Sequence, residues 1–182
     1  MANKKKFSHP ILLLQDIETR SRANAFGLPQ QGEIKDEWPG VAFRIGDNYL
    51  VAPMGQVIEI LTYPDMSRVP GAKNWVLGIA NIRGNLLPIM DLNGYLFGKH
   101  INVNKKSRVL VLNHQGVFSG LLVDEVMGMR RFLAENRRAT PDGVDLTVKP
   151  YVEHIYDQED HQWLVFSMHK LAESPLFMQV AS

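Results

Sequence analysis

The feature that most constrains this chain is its punctuation between residues 41 and 168. Short runs of β-branched and aliphatic residues are each cut off by Gly, Pro, Asn or Asp before a helix of useful length could form. Val41, Phe43 and Ile45 alternate with Ala42 and Arg44, and Asp47 with Asn48 turns the chain into Tyr49, Leu50 and Val51. Pro53 and Gly55 interrupt before a strand over 57–61, a place where proline demands an edge or a bulge. A loop rich in turn formers follows (Pro64, Asp65, Pro70, Gly71), and 73–77 reads as one helical turn stopped by Gly78. Further strands are predicted over 108–113, 117–124 and 125–132. A last hairpin pairs 151–156 with 161–168 around an acidic tip at 157–160, and a short helix over 169–172 follows. Strands at roughly 8 to 12-residue spacing mean an all-β sandwich or barrels.

The sharpest hairpin signal is GIANIRGNLLPIMDL. Runs over 79–83 and 86–90 flank Gly84 and Asn85, and Gly-Asn predicts a type II′ two-residue turn, glycine taking the positive φ of the first central position. Pro88 has no amide hydrogen to give a ladder, so its position is expected to face a sheet edge. Ahead of the strands, residues 8–25 read as a helix: Ser8 can cap, Pro10 suits the first turn, and Leu13, Leu14, Ile17 and Ser21 recur at helical spacing. Gly27 to Pro39 is a polar, Gly/Pro-broken linker, which puts the start of the compact domain near Val41.

Composition narrows the chemistry. At 182 residues the chain suits one domain, or two subdomains sharing a core. It has no cysteine, which removes disulfides, thiolate metal sites and cysteine nucleophiles. A net charge of +1 supplies no global field toward nucleic acid or an anionic membrane. Lys4, Lys5 and Lys6 before Ile11, Leu12, Leu13 and Leu14 imitate a signal peptide, but the apolar run stops at Gln15 and Asp16, short of the roughly 7 to 15 residues an h-region needs. No run approaches the ~18 apolar residues of a membrane span, so neither export nor membrane insertion is expected.

Catalytic groups do not assemble on paper. Ser119 in GVFSG sits one place too late for a nucleophile elbow and lies on a strand. His154, His161 and His169 bracket the last hairpin without a metal-ligand spacing, and no phosphate-binding loop exists. The cluster Arg130, Arg131, Arg137 and Arg138 leaves one other class open, a small β-barrel that binds nucleic acid. A third reading concerns a partner. If Ile58 and Ile60 face the core, Val57 and Glu59 face outward as an apolar and a charged group side by side, near Arg83 at the hairpin end. That pairing suits docking of a partner helix; the plainer alternative is a surface Glu59–Arg83 ion pair.

Three strings, VAFRIGDNYLVAPMGQVIEI, GIANIRGNLLPIMDL and RVLVLNHQGVFSGLLVDEVMGM, resemble in motif, order and spacing the CheW-like domain of bacterial chemotaxis coupling proteins. The hairpin pattern N-[LI]-R-G-x-[ILV]-x-P-[ILV]-x-D-L is the most specific element and runs from Asn81 to Leu92. The resemblance covers residues 41–175. It leaves 1–40 as an extension similar to that of the branch serving type IV pilus twitching motility, and 176–182 as a C-terminal tail. The chain departs from the common pattern at Pro53 and Trp75.

The resemblance implies two five-stranded SH3-like β-barrels around a shared core, without catalysis, cofactor or metal. It implies an adaptor in the cytoplasm, at membrane-associated receptor arrays, whose partners are the cytoplasmic tip of a chemoreceptor and the regulatory domain of a CheA-type histidine kinase. Val57, Glu59 and Arg83 would lie in or beside a receptor-facing groove, with Val109 and Met129 lining it from the second subdomain. Gly84, Pro88 and Asp91 match the motif for structural reasons: a turn, an edge strand that resists non-specific pairing, and a local cap.

Overall fold

The computed structural model describes residues 37–139, 144–159 and 161–180, together with Ile11, Leu14, Gln15, Ile17, Glu18 and Thr19. The chain divides into two units, Met1–Lys35 and Asp36–Ser182. In the first, the six described residues are helical, and the Thr19 hydroxyl donates to the Gln15 carbonyl at 2.7 Å; the rest of the helix expected over 8–25, and most of the linker, lie outside the described residues. The second unit begins earlier than expected, because Glu37, Trp38 and Pro39 already belong to a strand.

Eleven strands are described in the second unit: β1 (Glu37–Ile45), β2 (Asn48–Pro53), β3 (Glu59–Thr62), β4 (Val76–Ile82), β5 (Asn85–Asp91), β6 (Arg108–His114), β7 (Val117–Val123), β8 (Glu125–Leu133), β9 (Arg137–Arg138), β10 (Val152–Gln158) and β11 (His161–Phe166). Three short helices join them: α1 (Leu92–Phe97), α2 (Met168–Ala172) and α3 (Pro175–Met178). Of the helical turn predicted at 73–77 one turn is present, the Val76 N–H donating to the Lys73 carbonyl at 2.9 Å, and β4 begins at Val76 rather than after Gly78. One sheet has the order β3-β6-β7-β5-β4, the other β8-β1-β2-β11-β10-β9. The expected five strands per sheet become six in the second because the two-residue β9 pairs with β10.

The chain interleaves the sheets. It starts one with β1 and β2, leaves to build all of the other, and returns through β8 to β11, closing the first with a parallel pairing of β2 and β11. Both sheets curl around small cores of their own. Val109, Val111, Leu87 and Ile89 gather inside the five-stranded sheet, and Trp163, Phe132, Tyr156 and Val51 inside the six-stranded one. Alternate residues of the same strands, among them Phe43, Leu50, Leu110, Leu112 and Phe166, meet in the larger core between the sheets. A strand buried on both faces reads as the unbroken apolar run VLVL rather than an in/out alternation, and each such side chain contributes about 1.5–3 kcal/mol by leaving water.

Three local features differ from what the sequence pattern implies. Ile82 pairs with Asn85, so the hairpin turn is Arg83-Gly84, not Gly84-Asn85. Both residues have positive φ, 52° and 86°, which makes it type I′, the turn whose twist matches the flanking strands. Pro88 lies on β5, an interior strand of its sheet. It is tolerated because the parallel ladder to β7 begins only at Ile89, and Pro88 therefore guards no sheet edge. The C-terminal segment is no tail: Phe177 is fully buried and stacks on Trp75, ring centroids 5.8 Å apart, with Tyr95 edge-on. Trp75, the departure from the family pattern, is the wall that receives it, and Pro53 simply ends β2 opposite Gly40.

Candidate functional site

Strand β3 pairs with β6 so that Glu59 lies opposite Val111 and Leu61 opposite Val109. Directly opposed residues share a face, and Val109 and Val111 point into the small core, so Glu59 and Leu61 follow them inward. Ile58 and Ile60 therefore turn to solvent, 56% and 43% exposed, the reverse of the expected assignment. Thr62, of the same parity as Ile58 and Ile60, is the one sequence signal that favoured this register. Val57, before the strand, is half-buried against the shared core.

The curl of the five-stranded sheet brings its far side to β3. The loop after β3 returns to β4, where Ser67 and Ile79 exchange backbone hydrogen bonds at 2.9 and 2.8 Å. This places the β4–β5 turn beside Glu59, and Arg83 Nη2 stands 2.7 Å from Glu59 Oε1. The Asn81 side chain completes the turn by accepting the Gly84 N–H at 2.9 Å. Arg83 itself sits in the left-handed region, where a side chain costs about 1–2 kcal/mol, while an exposed ion pair stabilises by about 0–1 kcal/mol. With 78% of the Arg83 side chain in solvent, the arrangement does not repay its strain as stability.

The remaining predicted positions separate. Val109 is fully buried and belongs to the same sheet as Glu59, so it presents nothing to a partner and comes from no second subdomain. Met129 is 74% exposed on β8, in the other sheet. Asp91 is 1% exposed and caps α1: its carboxylate accepts the Gly94 and Ile101 N–H groups at 2.9 and 3.0 Å and holds His100 Nδ1 at 3.0 Å. The His100 partnership was not foreseen, since nine residues separate the two in sequence.

Three of the four clustered arginines are committed to carboxylates, Arg130 to Glu159, Arg131 to Glu37 and Arg138 to Asp157, and Arg130 also lies over the Trp163 ring. Little cationic surface is left for the nucleic-acid reading. Ser119 is buried in β7, its hydroxyl without a hydrogen-bond partner among the described residues. The hairpin histidines do not converge. His161 stacks on Tyr49 at 4.2 Å, His169 on His114 at 3.9 Å, and His154 packs against Trp38. Burial is the first cause that pushes His154 and His169 below the ordinary histidine range, with neighbouring Arg137 and His114 adding to it respectively. Burial likewise pushes the Tyr95 phenol up to about 12, where it bonds the Tyr151 hydroxyl at 2.8 Å beneath Phe177.

The profile of the CheW-like domain matches residues 39–176, nearly the whole second unit. This chain belongs to the CheW-like family. Protein PilI of Pseudomonas aeruginosa is 44% identical over 172 residues, covering 94% of this chain and 96% of that protein. The chemotaxis protein CheW of Helicobacter pylori is 30% identical over 113 residues, 62% of this chain and 68% of its own. Scaffolding protein TtCheW from Thermoanaerobacter tengcongensis superposes with a TM-score of 0.64 at 22% identity, over 72% of this chain and 90% of that one, which establishes the shared fold. The CheW-like domain is thus a non-enzymatic adaptor of chemotaxis-like signalling. No helix among its described residues is long and apolar enough to cross a membrane.

Proposed function

We propose that this CheW-like protein couples the cytoplasmic tip of a chemoreceptor to the regulatory domain of a CheA-type histidine kinase, and that the pathway controls type IV pilus twitching motility. The observation that carries the reading is the Glu59–Arg83 pair, which sets a strained, solvent-exposed cation at 2.7 Å from a half-buried carboxylate, next to Val57. Strain held at a site that gains little stability from it points to recognition. The near full-length similarity to PilI supports the pilus pathway. An adaptor working at receptor arrays in the cytoplasm needs two faces usable at once; Met129, exposed on the opposite sheet, lies on a surface open to the second partner.

Sedimentation of the purified protein with a receptor tip and a kinase regulatory domain tests this. A ternary complex is expected, with Arg83→Glu and Glu59→Arg each losing the receptor tip while keeping the kinase domain. Strict competition of the two partners for one site, or receptor binding indifferent to both reversals, would refute it.

A further inference from the structure

The loop between β3 and β4 and the residues after α1 line a pocket of about 660 Å³, open to solvent, whose walls include Arg68, Lys73 and His100. Asp65 is the one carboxylate among its described lining residues. Arg44, Arg83, Arg130, Arg131 and Arg138 all meet carboxylates, whereas Arg68 and Lys73 meet none among the described residues. His100 is oriented from behind. Its Nδ1 is held by the buried Asp91 carboxylate, which leaves Nε2 as its disengaged nitrogen on a side chain 58% exposed.

A second, apolar chamber of about 230 Å³ adjoins the first. The two share Val69, Ala72 and Val76, and the apolar one is lined further by Ile79, Pro88 and the buried Met90 of the β4–β5 hairpin. At that volume it is smaller than the roughly 300–1,000 Å³ of a drug-sized ligand site and admits a side chain rather than a whole small molecule. A chamber in which Arg68 and Lys73 outnumber the single carboxylate Asp65, beside a side-chain-sized apolar one, is complementary to a carboxylate adjacent to an aliphatic group.

We propose that this two-chamber groove binds an acidic, aliphatic peptide segment of a protein partner. A Glu or Asp side chain lies among Arg68, Lys73 and His100, and a neighbouring Leu or Ile fills the chamber floored by Ile79 and Met90. The site uses neither Glu59 nor Arg83 and does not depend on the receptor-coupling reading.

The test is an NMR titration of the labelled full chain with a decapeptide of alternating Glu and Leu. Amide shifts are expected at Arg68, Lys73, Val76 and His100. Affinity should fall at least tenfold in Arg68→Glu/Lys73→Glu and with added salt, and rise in Asp65→Asn. Replacing either Glu by Gln or Leu by Gly in the peptide should weaken binding. Arg68→Gln and Lys73→Gln singly give the same direction should the double reversal melt early. Shifts mapping elsewhere, affinity unchanged in these variants, or inorganic phosphate saturating the same residues as tightly as the peptide would each overturn the proposal.

Discussion

Replacing Arg83 with Asn separates the two roles that the β4–β5 turn combines. Asn is among the residues best tolerated at positive φ and favoured ahead of Gly in type I′ turns, so it removes most of the strain at φ 52° while keeping the turn. Of the roughly 1–2 kcal/mol that a side chain costs in this region, about 1 kcal/mol should return. The lost contact to Glu59 removes about 0–1 kcal/mol, because 78% of the Arg83 side chain is already in water and 32% of the Glu59 side chain with it. The net change lies between zero and about 1 kcal/mol of added stability. For a domain of this size that is a rise in melting temperature of no more than about 4 °C. Receptor-tip capture should nonetheless be lost. Thermal unfolding beside sedimentation with the tip measures both, and a melting temperature lowered by several degrees would show that the ion pair, not recognition, is what the strained residue maintains. Capture at the native level would equally refute the argument.

Other consequences concern packing, protons and the domain boundary. A Cβ on Gly120 would stand 2.6 Å from Val109 Cγ1 and 2.8 Å from Ile89 Cδ1 inside the small five-stranded core. Gly120→Val should therefore destabilise by about 1–3 kcal/mol in chemical denaturation, and adding Val109→Ala should recover part of the loss. His154 and His169 titrate below the ordinary histidine range when folded, so the unfolded chain binds more protons. Their contribution is complete above the unfolded value of about 6.5 and declines as the pH falls below it; denaturant midpoints at pH 7.5 and 5.5 should differ, and less so in His154→Asn/His169→Asn. A fragment starting at Asp36 should stay soluble with a cooperative β-type transition, since the described residues of all three cores, Trp38 included, lie after 36; aggregation of that fragment would count against an independent second unit.

Local signals in the chain were enough for the strands themselves and for the hairpin that names the family. Turn formers and two-residue periodicity act over a few neighbours, so the runs over 41–45, 108–113 and 117–124 are legible where they occur, as is the cap that Asp91 places on the helix after it. The ion pair between Glu59 and Arg83, the plainer of the two readings of these positions, was legible as well. What only the tertiary structure decided depends on partners distant in sequence. Glu59 and Leu61 face inward because β6 puts Val111 and Val109 opposite them, and a two-residue period cannot say which of its two faces is buried. The turn moved by one residue because register is a property of both strands together. Val109 looked available and is fully buried because the sheet curls around it. The union of β2 with β11 in one sheet, and of Phe177 with Trp75, spans more than a hundred residues each, and such pairings are selected by the apolar surface they remove from water when the whole chain closes, not by any window of the sequence.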